Sequence, residues 1–282
     1  MLLIILNFKI MKNSIKYLIL AIGLSLFGCE EVVDVDLNNS QPKLVIDASI
    51  KWEKGTPGNE QTIKITTTAD YFNNTVPVAN GAIVKITDSN NTVFNFLEDG
   101  TTGIYKCTNF NPVLNGIYTL TVTYNGQTYR ATDKLYPVPV ITSVEQDLNG
   151  ITGNEIELKF NFQDNGSESN FYLEEYKVPF RPFPLLGAFN DEFENGNQMF
   201  SLLIDENLAP TQNIKFTLHG ISERYFNFMN ILISISGGLS NGPFSTPPAT
   251  VKGNIINQTN STNYPLGYFR LSEVEVKNYV VQ

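Results

Sequence analysis

The sequence predicts a mainly β protein: an N-terminal Ig-like β-sandwich followed by a second β-rich domain with one helix. Three observations carry this. Apolar and polar residues alternate with a period of two in short runs such as Tyr118-Thr119-Leu120-Thr121-Val122-Thr123-Tyr124, which turns one face of each run inward. Turn residues, among them 20 Gly and 14 Pro, break the runs before a helical period can build up. The dipeptide Asn125-Gly126 stands between two alternating runs, and a type I′ hairpin needs residues that accept φ > 0 at both central positions.

The elements follow in order. Leu44 to Trp52 reads as a strand, stopped by Lys54-Gly55-Thr56-Pro57-Gly58. Gln61 to Thr68 alternates about Ile63 and Ile65, and Ala82, Val84 and Ile86 alternate before the turn Asp88-Ser89-Asn90-Asn91. Val93 to Leu97 and Gly103 to Cys107 precede the Tyr118 to Thr132 hairpin. The first core is expected on Ile63, Ile65, Val84, Ile86, Tyr118, Leu120 and Val122, with the sole Trp, Trp52, packed on it. Two prolines in residues 135–140 remove two ladder donors, so that segment is expected to link domains 41–134 and 141–282 and to let fragment 40–134 fold alone. In the second domain Ile156, Leu158, Phe160 and Phe162 alternate, and Phe171 to Val178 looks like their partner. Pro179 to Asn197 and Gly238 to Pro265 read as long loops, the kind that carry function or move. Met199 to Ile204, Ile214 to Leu218 and Tyr268 to Val281 are further strands. A helix is expected near 222–235: Ser222 can cap it, and Tyr225, Phe226, Met229, Leu232 and Ile233 recur at helical spacing, packed on the sheet.

Met11 to Cys29 decides the expected location. Lys12 and Lys16 form a basic region, Tyr17 to Phe27 is an uncharged run of 11 residues, and Leu26-Phe27-Gly28-Cys29 closes it. That run fits a signal-peptide core and falls short of the roughly 20 apolar residues a spanning helix needs. Residues 1–28 are therefore expected to be a lipoprotein-type signal, with the true start at Met1 or Met11, and Cys29 the lipidated residue. Each buried CH₂ contributes about 0.8 kcal/mol and one chain holds only marginally; several acyl chains on Cys29 would anchor the protein. Residues 29–40, with Glu30, Glu31, Asp34 and Asp36, form an acidic tether.

Charge and cysteine count exclude several classes. Residues 1–28 carry Lys9, Lys12 and Lys16 and no acid, so their removal takes the net charge from −9 to −12, which gives no overall footprint for nucleic acid or for anionic lipid surfaces, and contact with the membrane is expected through lipid alone. Of two cysteines, Cys29 is taken by lipid, leaving Cys107 as a lone buried thiol and excluding zinc sites built on cysteine pairs. His219 is the only histidine, so a catalytic triad would have to use it; a structural role is the expected one. Asp164-Asn165-Gly166-Ser167-Glu168 offers calcium-type oxygen ligands but matches no twelve-residue calcium loop, and turn chemistry is its default. No metal site, cofactor or catalytic residue is assigned.

The order of these pieces resembles the Bacteroidetes outer-membrane lipoprotein family called domain of unknown function 4249. The resemblance lies in Cys29 with Val33-Asp34-Val35-Asp36-Leu37; Gly81-Ala82-x-Val84 with Gly103-x-Tyr105; Gly116-x-Tyr118-x-Leu120-x-Val122; Phe162-x-Asp164; and Asn241-Gly242-Pro243-Phe244-Ser245 through Pro265-Leu266-Gly267-Tyr268-Phe269. It implies an outer-membrane lipoprotein facing the cell surface or the periplasm, often encoded beside a TonB-dependent receptor, and no activity; the acidic tether resembles the export signals that place such lipoproteins on the cell surface, which is the expected location. The expected function is a non-enzymatic accessory or binding module of such a receptor. The alternative is a direct glycan- or peptide-binding surface protein, with a hydrolase a distant third. Phe180, Phe183, Phe244 and Tyr264, on the two long loops, are the candidate partner contacts, since aromatic anchors dominate interface energy.

The anchor is testable directly. Cys29→Ser should accumulate as an unprocessed precursor that takes up no labelled fatty acid; a variant that still matures and partitions into detergent would overturn the lipidation of Cys29.

Overall fold

A computed structural model of the protein describes residues 41–69, 75–150, 153, 155–235 and 251–282. The expected signal peptide, Cys29 and the tether, together with Tyr71, Phe72 and Phe244, lie outside the described residues. Residues 41–282 form one compact unit, mainly β, with one helix among the described residues.

In chain order the strands are β1 (Leu44–Glu53), β2 (Gln61–Thr67), β3 (Ile83–Asp88), β4 (Val93–Glu98), β5 (Ile104–Cys107), β6 (Ile117–Tyr124), β7 (Gln127–Tyr136), β8 (Ile141–Asp147), β9 (Glu157–Gln163), β10 (Phe171–Lys177), β11 (Leu185–Asn190), β12 (Gln198–Ile204) and β13 (Asn213–Ile221). The helix α1 (Glu223–Ile235), β14 (Ile256–Asn257) and β15 (Leu266–Val280) follow. The β6–β7 hairpin turns at Asn125 and Gly126, whose φ values of 48° and 72° are the ones a type I′ turn requires.

The first half differs from two facing sheets. Its hydrogen-bonded order is β15-β1-β2-β5-β4-β3-β6-β7, and β7 pairs in turn with β15 through Leu135–Leu271 and Tyr136–Ser272, so eight strands close into a barrel-like ring. The closing member comes from the far end of the chain, which is why alternation within residues 41–134 suggested an open sandwich instead. The expected core residues Ile63, Ile65, Val84, Ile86, Tyr118, Leu120 and Val122 are all buried inside the ring, with Phe269 and Leu271 of β15 among them and Trp52 packed against them. Cys107 faces the same core as a free thiol.

The C-terminal half of β15 leaves the ring and pairs with β13, which continues into β10 and β11. A three-stranded sheet, β12-β9-β8, packs on this extension; Leu158, Phe160 and Phe162 of β9 meet Tyr172, Tyr176 and Phe216 in a second core. On its other side α1 lays Tyr225 and Met229 against Leu173, Ile221 and Tyr268. Ser222 caps that helix: its Oγ accepts the Tyr225 amide at 3.1 Å.

The segment expected to be a linker is packed instead. Leu135 is buried in the first core and Val138 in the second, and the Val138 amide donates to Glu273 Oε2 of β15 at 3.0 Å. Gly220 lies so close beneath that a Cβ there would meet the Pro137 carbonyl. At Gly267 (φ 93°) a Cβ would meet the Ile46 carbonyl of β1, so only glycine lets β15 enter the ring in register.

These contacts change the outcome expected for fragment 40–134. Without Phe269 and Leu271 it leaves both ring edges open and should melt without cooperativity or associate. A peptide spanning residues 264–276, added in trans, should restore a cooperative melt; a fragment that melts cooperatively without it would show that the ring closes unaided.

Candidate functional site

The free end of the large sheet is where aromatic and polar groups come to the surface together. Pro179 to Asn197 was expected as one loop, but its middle forms β11, paired with β10 from Tyr176–Leu185 to Phe171–Asn190. Leu185-Leu186-Gly187-Ala188-Phe189-Asn190 does not alternate, because an edge strand is half-exposed on both faces, and so the period-two signal is missing. Gly187 leaves room for the Glu174 carboxylate, which a Cβ there would displace.

The connections flanking β11 are short and fixed. Before it, Arg181 pairs with Asp205 at 2.6 Å, and that hydrogen-bonded pairing holds the Asp205 carboxyl below its usual range against partial burial. After it, residues 191–197 make two consecutive turns, with Glu194 N donating to Asp191 O and Asn197 N to Glu194 O, both at 2.8 Å. Asp164 braces this loop: Oδ2 accepts the Gly196 amide at 2.8 Å and Oδ1 the Tyr172 hydroxyl at 2.5 Å. Burial and the Asp164 carboxylate push the Tyr172 phenol far up, so it stays the donor. The Asp164 segment is therefore a turn anchor with its oxygens engaged, and no group of three or more His, Cys, Asp or Glu placed to hold a metal occurs among the described residues.

These loops hold Phe183 79% exposed and Phe193 91% exposed, one before β11 and one after it. The other candidate contacts are dispersed. Phe180 is half-buried against the second core. Tyr264 lies just before β15, whereas Phe180 and Phe183 follow β10 at the level of Asn278. They are separated by most of the length of β15, roughly 45 Å at 3.3 Å per residue, so Phe180, Phe183 and Tyr264 do not form one face.

Beside the Phe193 loop, a groove of about 460 Å³ runs between the start of α1 and the ends of β10 and β11, lined by Ser169, Phe171, Asn190, Asp191, Glu223 and Phe226 among others. Phe171 and Phe226 contact each other at 5.4 Å between centroids and form its apolar wall. The groove was not legible in the sequence, since Phe171 and Phe226 meet only through the β10–β13 pairing that brings α1 over the sheet.

His219 lies within β13, opposite Leu173 and Val274. It is fully buried, and burial drives its pKa down to about 3, so the imidazole is neutral near pH 7. Nε2 stands 3.3 Å from Glu175 Oε2, within ion-pair distance but off the line of a hydrogen bond. Lys51 Nζ reaches the same oxygen at 3.4 Å. This is a structural cluster on the outer face of the strands, continued by Arg270, whose guanidinium donates to Ser272 Oγ at 2.7 Å and lies 5.0 Å over the Tyr225 ring.

Comparison with known proteins places the chain by family. The sequence model of the family described as Domain of unknown function (DUF4249) matches residues 30–278. No curated protein matches the chain. Among solved structures it is similar to a DUF4785 family protein from Legionella pneumophila at 12% identity and TM-score 0.26, covering 63% of this chain and 52% of that one; the chain thus spans about half the length of that structure. A cytokine receptor complex gives 9% identity, TM-score 0.25 and coverage of 63% and 83%. A two-domain fibronectin type III segment of chicken tenascin gives 11%, 0.21, and 64% and 90%. These similarities are too low to transfer a function.

Asp133 on β7 offers a pH test. Burial raises its pKa to about 6, only partly offset by the Lys134 amide and by Arg224, Arg270 and Lys134. The folded state therefore holds this proton more tightly than the unfolded chain, and ionisation costs stability as pH rises from about 4 through 6. Asp133→Asn should melt higher than the wild type at pH 7 to 8 and level with it near pH 4; a difference that is constant across this range would remove ionisation as the cause.

Proposed function

The chain belongs to the DUF4249 family, and from that premise we propose that it is a lipid-anchored outer-membrane protein facing the cell surface, a non-enzymatic accessory or binding module of a TonB-dependent receptor system. The observation that carries the binding role is the pair Phe183 and Phe193 at the two ends of β11. Large exposed rings on braced loops lose little entropy when covered, and such rings supply most of the energy at interfaces. Between them, β11 is a sheet edge whose residues carry no charge and no proline, the devices by which edges are usually guarded. An extended segment of a partner could add to this edge through main-chain hydrogen bonds while its side chains meet the two rings. The barrel-like ring of the first half serves the same proposal as a rigid scaffold to which the second half is fixed through β15.

The groove at Phe171 and Phe226 supports a second reading, direct binding of a peptide or glycan. An apolar wall with amide and carboxylate groups at its rim is the usual make-up of a small-ligand site. The two readings separate by mutation. Phe183→Ser with Phe193→Ser should reduce receptor co-purification at least tenfold, with a melting temperature within a degree or two of wild type, because neither ring is core. Asn227 also lines the groove, and Asn227→Trp, which fills it, should abolish glycan or peptide binding and spare the receptor. Loss of co-purification in Asn227→Trp alone would assign the receptor to the groove; retention in the double-Phe variant would remove the edge from the interface.

A further inference from the structure

Three strands of the ring, β1, β7 and β15, start at one end of it, where β2 and β6 finish: Leu44 pairs with Thr67, Val45 with Leu266 and Tyr124 with Gln127. The described chain begins at this end. Here Lys43 Nζ lies 3.6 Å and Lys252 Nζ 4.2 Å from the centroid of the Tyr264 ring. Among the described residues neither ammonium forms an ion pair with a carboxylate. Two like charges converging on one ring create a local positive potential, and the Tyr264 phenol responds: Lys43, by hydrogen bonding and charge, draws its pKa below the ordinary value. Among the described residues, two carboxylates at this end are already engaged. Glu98 accepts the amides of Gly81 at 2.8 Å and Gly103 at 3.3 Å, and Asp99 pairs with Lys106 at 2.6 Å. The same end exposes Val76, Val78 and Ile83, held there by the Val78–Thr66 bridge and the Ile83–Thr123 pairing.

We infer that this end of the ring rests on the membrane, with Lys43, Lys252 and Tyr264 forming a contact for the phosphates of anionic lipid headgroups. The inference rests on the lipid anchor at Cys29. Gln41 lies twelve positions after Cys29, and a chain reaches at most about 3.5 Å per residue, so the anchor holds this end within about 40 Å of the bilayer. The chemistry suits the surface: two ammonium groups and a phenol hydroxyl donate to phosphate, the tyrosine ring sits at the interface between water and acyl chains, and three aliphatic side chains stand beside it. The acidic balance of the whole chain does not oppose this, because charges more than about 8–10 Å away are screened at physiological salt. Glu30, Glu31, Asp34 and Asp36 are close in sequence and reduce the attraction, so what the lysines contribute is seen against them.

The experiment reads the surface apart from the anchor. Mature-length chain carrying Cys29→Ser, and therefore no lipid, is sedimented with phosphatidylglycerol vesicles and with phosphatidylcholine vesicles. The expected result is preferential binding to phosphatidylglycerol that is lost in high salt and falls about 25-fold in Lys43→Gln with Lys252→Gln, about fivefold per lysine, as the roughly 1 kcal/mol of one cation at an anionic surface dictates. Coincident melting curves of the two proteins show that the fall is not unfolding. Equal partitioning onto both lipids, or a double variant that binds as well as its parent, overturns the headgroup contact. Flotation of the lipidated chain tests the anchor separately: if it fails to float while the sedimentation result holds, the anchor falls and the headgroup contact stands.

Discussion

The structure depends on where one strand is placed. Leu266–Val280 pairs in parallel with β1 from Leu266 to Val274 and antiparallel with β13 from Val274 to Val280, so a single extended run of fifteen residues is an inner strand of both halves. One end of it delivers Phe269 and Leu271 to the first core, and Val281, just beyond the other, closes the second. Removing a fully buried phenylalanine costs about 3–5 kcal/mol, a large part of the stability of an ordinary domain. Its position also sets the folding order. Residues near 45 must meet residues near 267 before the ring can close, and the entropy lost in joining such distant segments makes this topology slow to form.

That dependence explains what was legible in the sequence. Features encoded within ten residues could be read: the Asn125-Gly126 hairpin, the inward faces of β2, β3 and β6, and the Ser222 cap of α1. The strand from Tyr268 could be read as a strand, but its partners could not, since the same alternation is compatible with any edge. Residues 41–134 taken by themselves contain seven strands with good alternation, and an open sandwich is the simplest way to bury them. Only the arrival of β15 turns them into a ring. β11 escaped for a different reason: half-buried on both faces, it has no polar face to alternate with. The aromatic candidates on the long loops were identified by residue type, which cannot distinguish Phe180, turned into the core, from Phe183, turned out.

Buried polar residues of β15 mark the place where three elements meet around the spine. Arg270, Ser272 and Glu273 are buried: Arg270 donates to Ser272 on the same strand and lies over Tyr225 of α1, and Glu273 accepts the Val138 amide and pairs with Lys54 at 2.9 Å. Buried pairs of this kind add little net stability, since desolvation offsets attraction, but leaving one partner alone is costly. Any other register of β15 would strand these charges. The cluster thus favours one docking of the last strand over its slipped alternatives, a task that hydrophobic alternation with period two performs only modulo two residues.

The same strand relates the two surfaces proposed for the partner and the membrane. Because β1, β7 and β15 all run from the Lys43, Lys252 and Tyr264 end toward the second core, and β10 runs with them, the loop bearing Phe183 emerges at the opposite end of the spine. A site for a partner is most useful where a bound macromolecule does not collide with the bilayer, and roughly 45 Å of extended strand is longer than a bilayer's hydrocarbon core is thick. Pairing β15 with both halves makes that separation rigid: with β15 shared and both cores packed on it, the halves have no hinge between them. An anchor held near one end of such a spine would limit where the other end can reach, so the distance between Tyr264 and Phe183 becomes a ruler for how far from the membrane a partner is met.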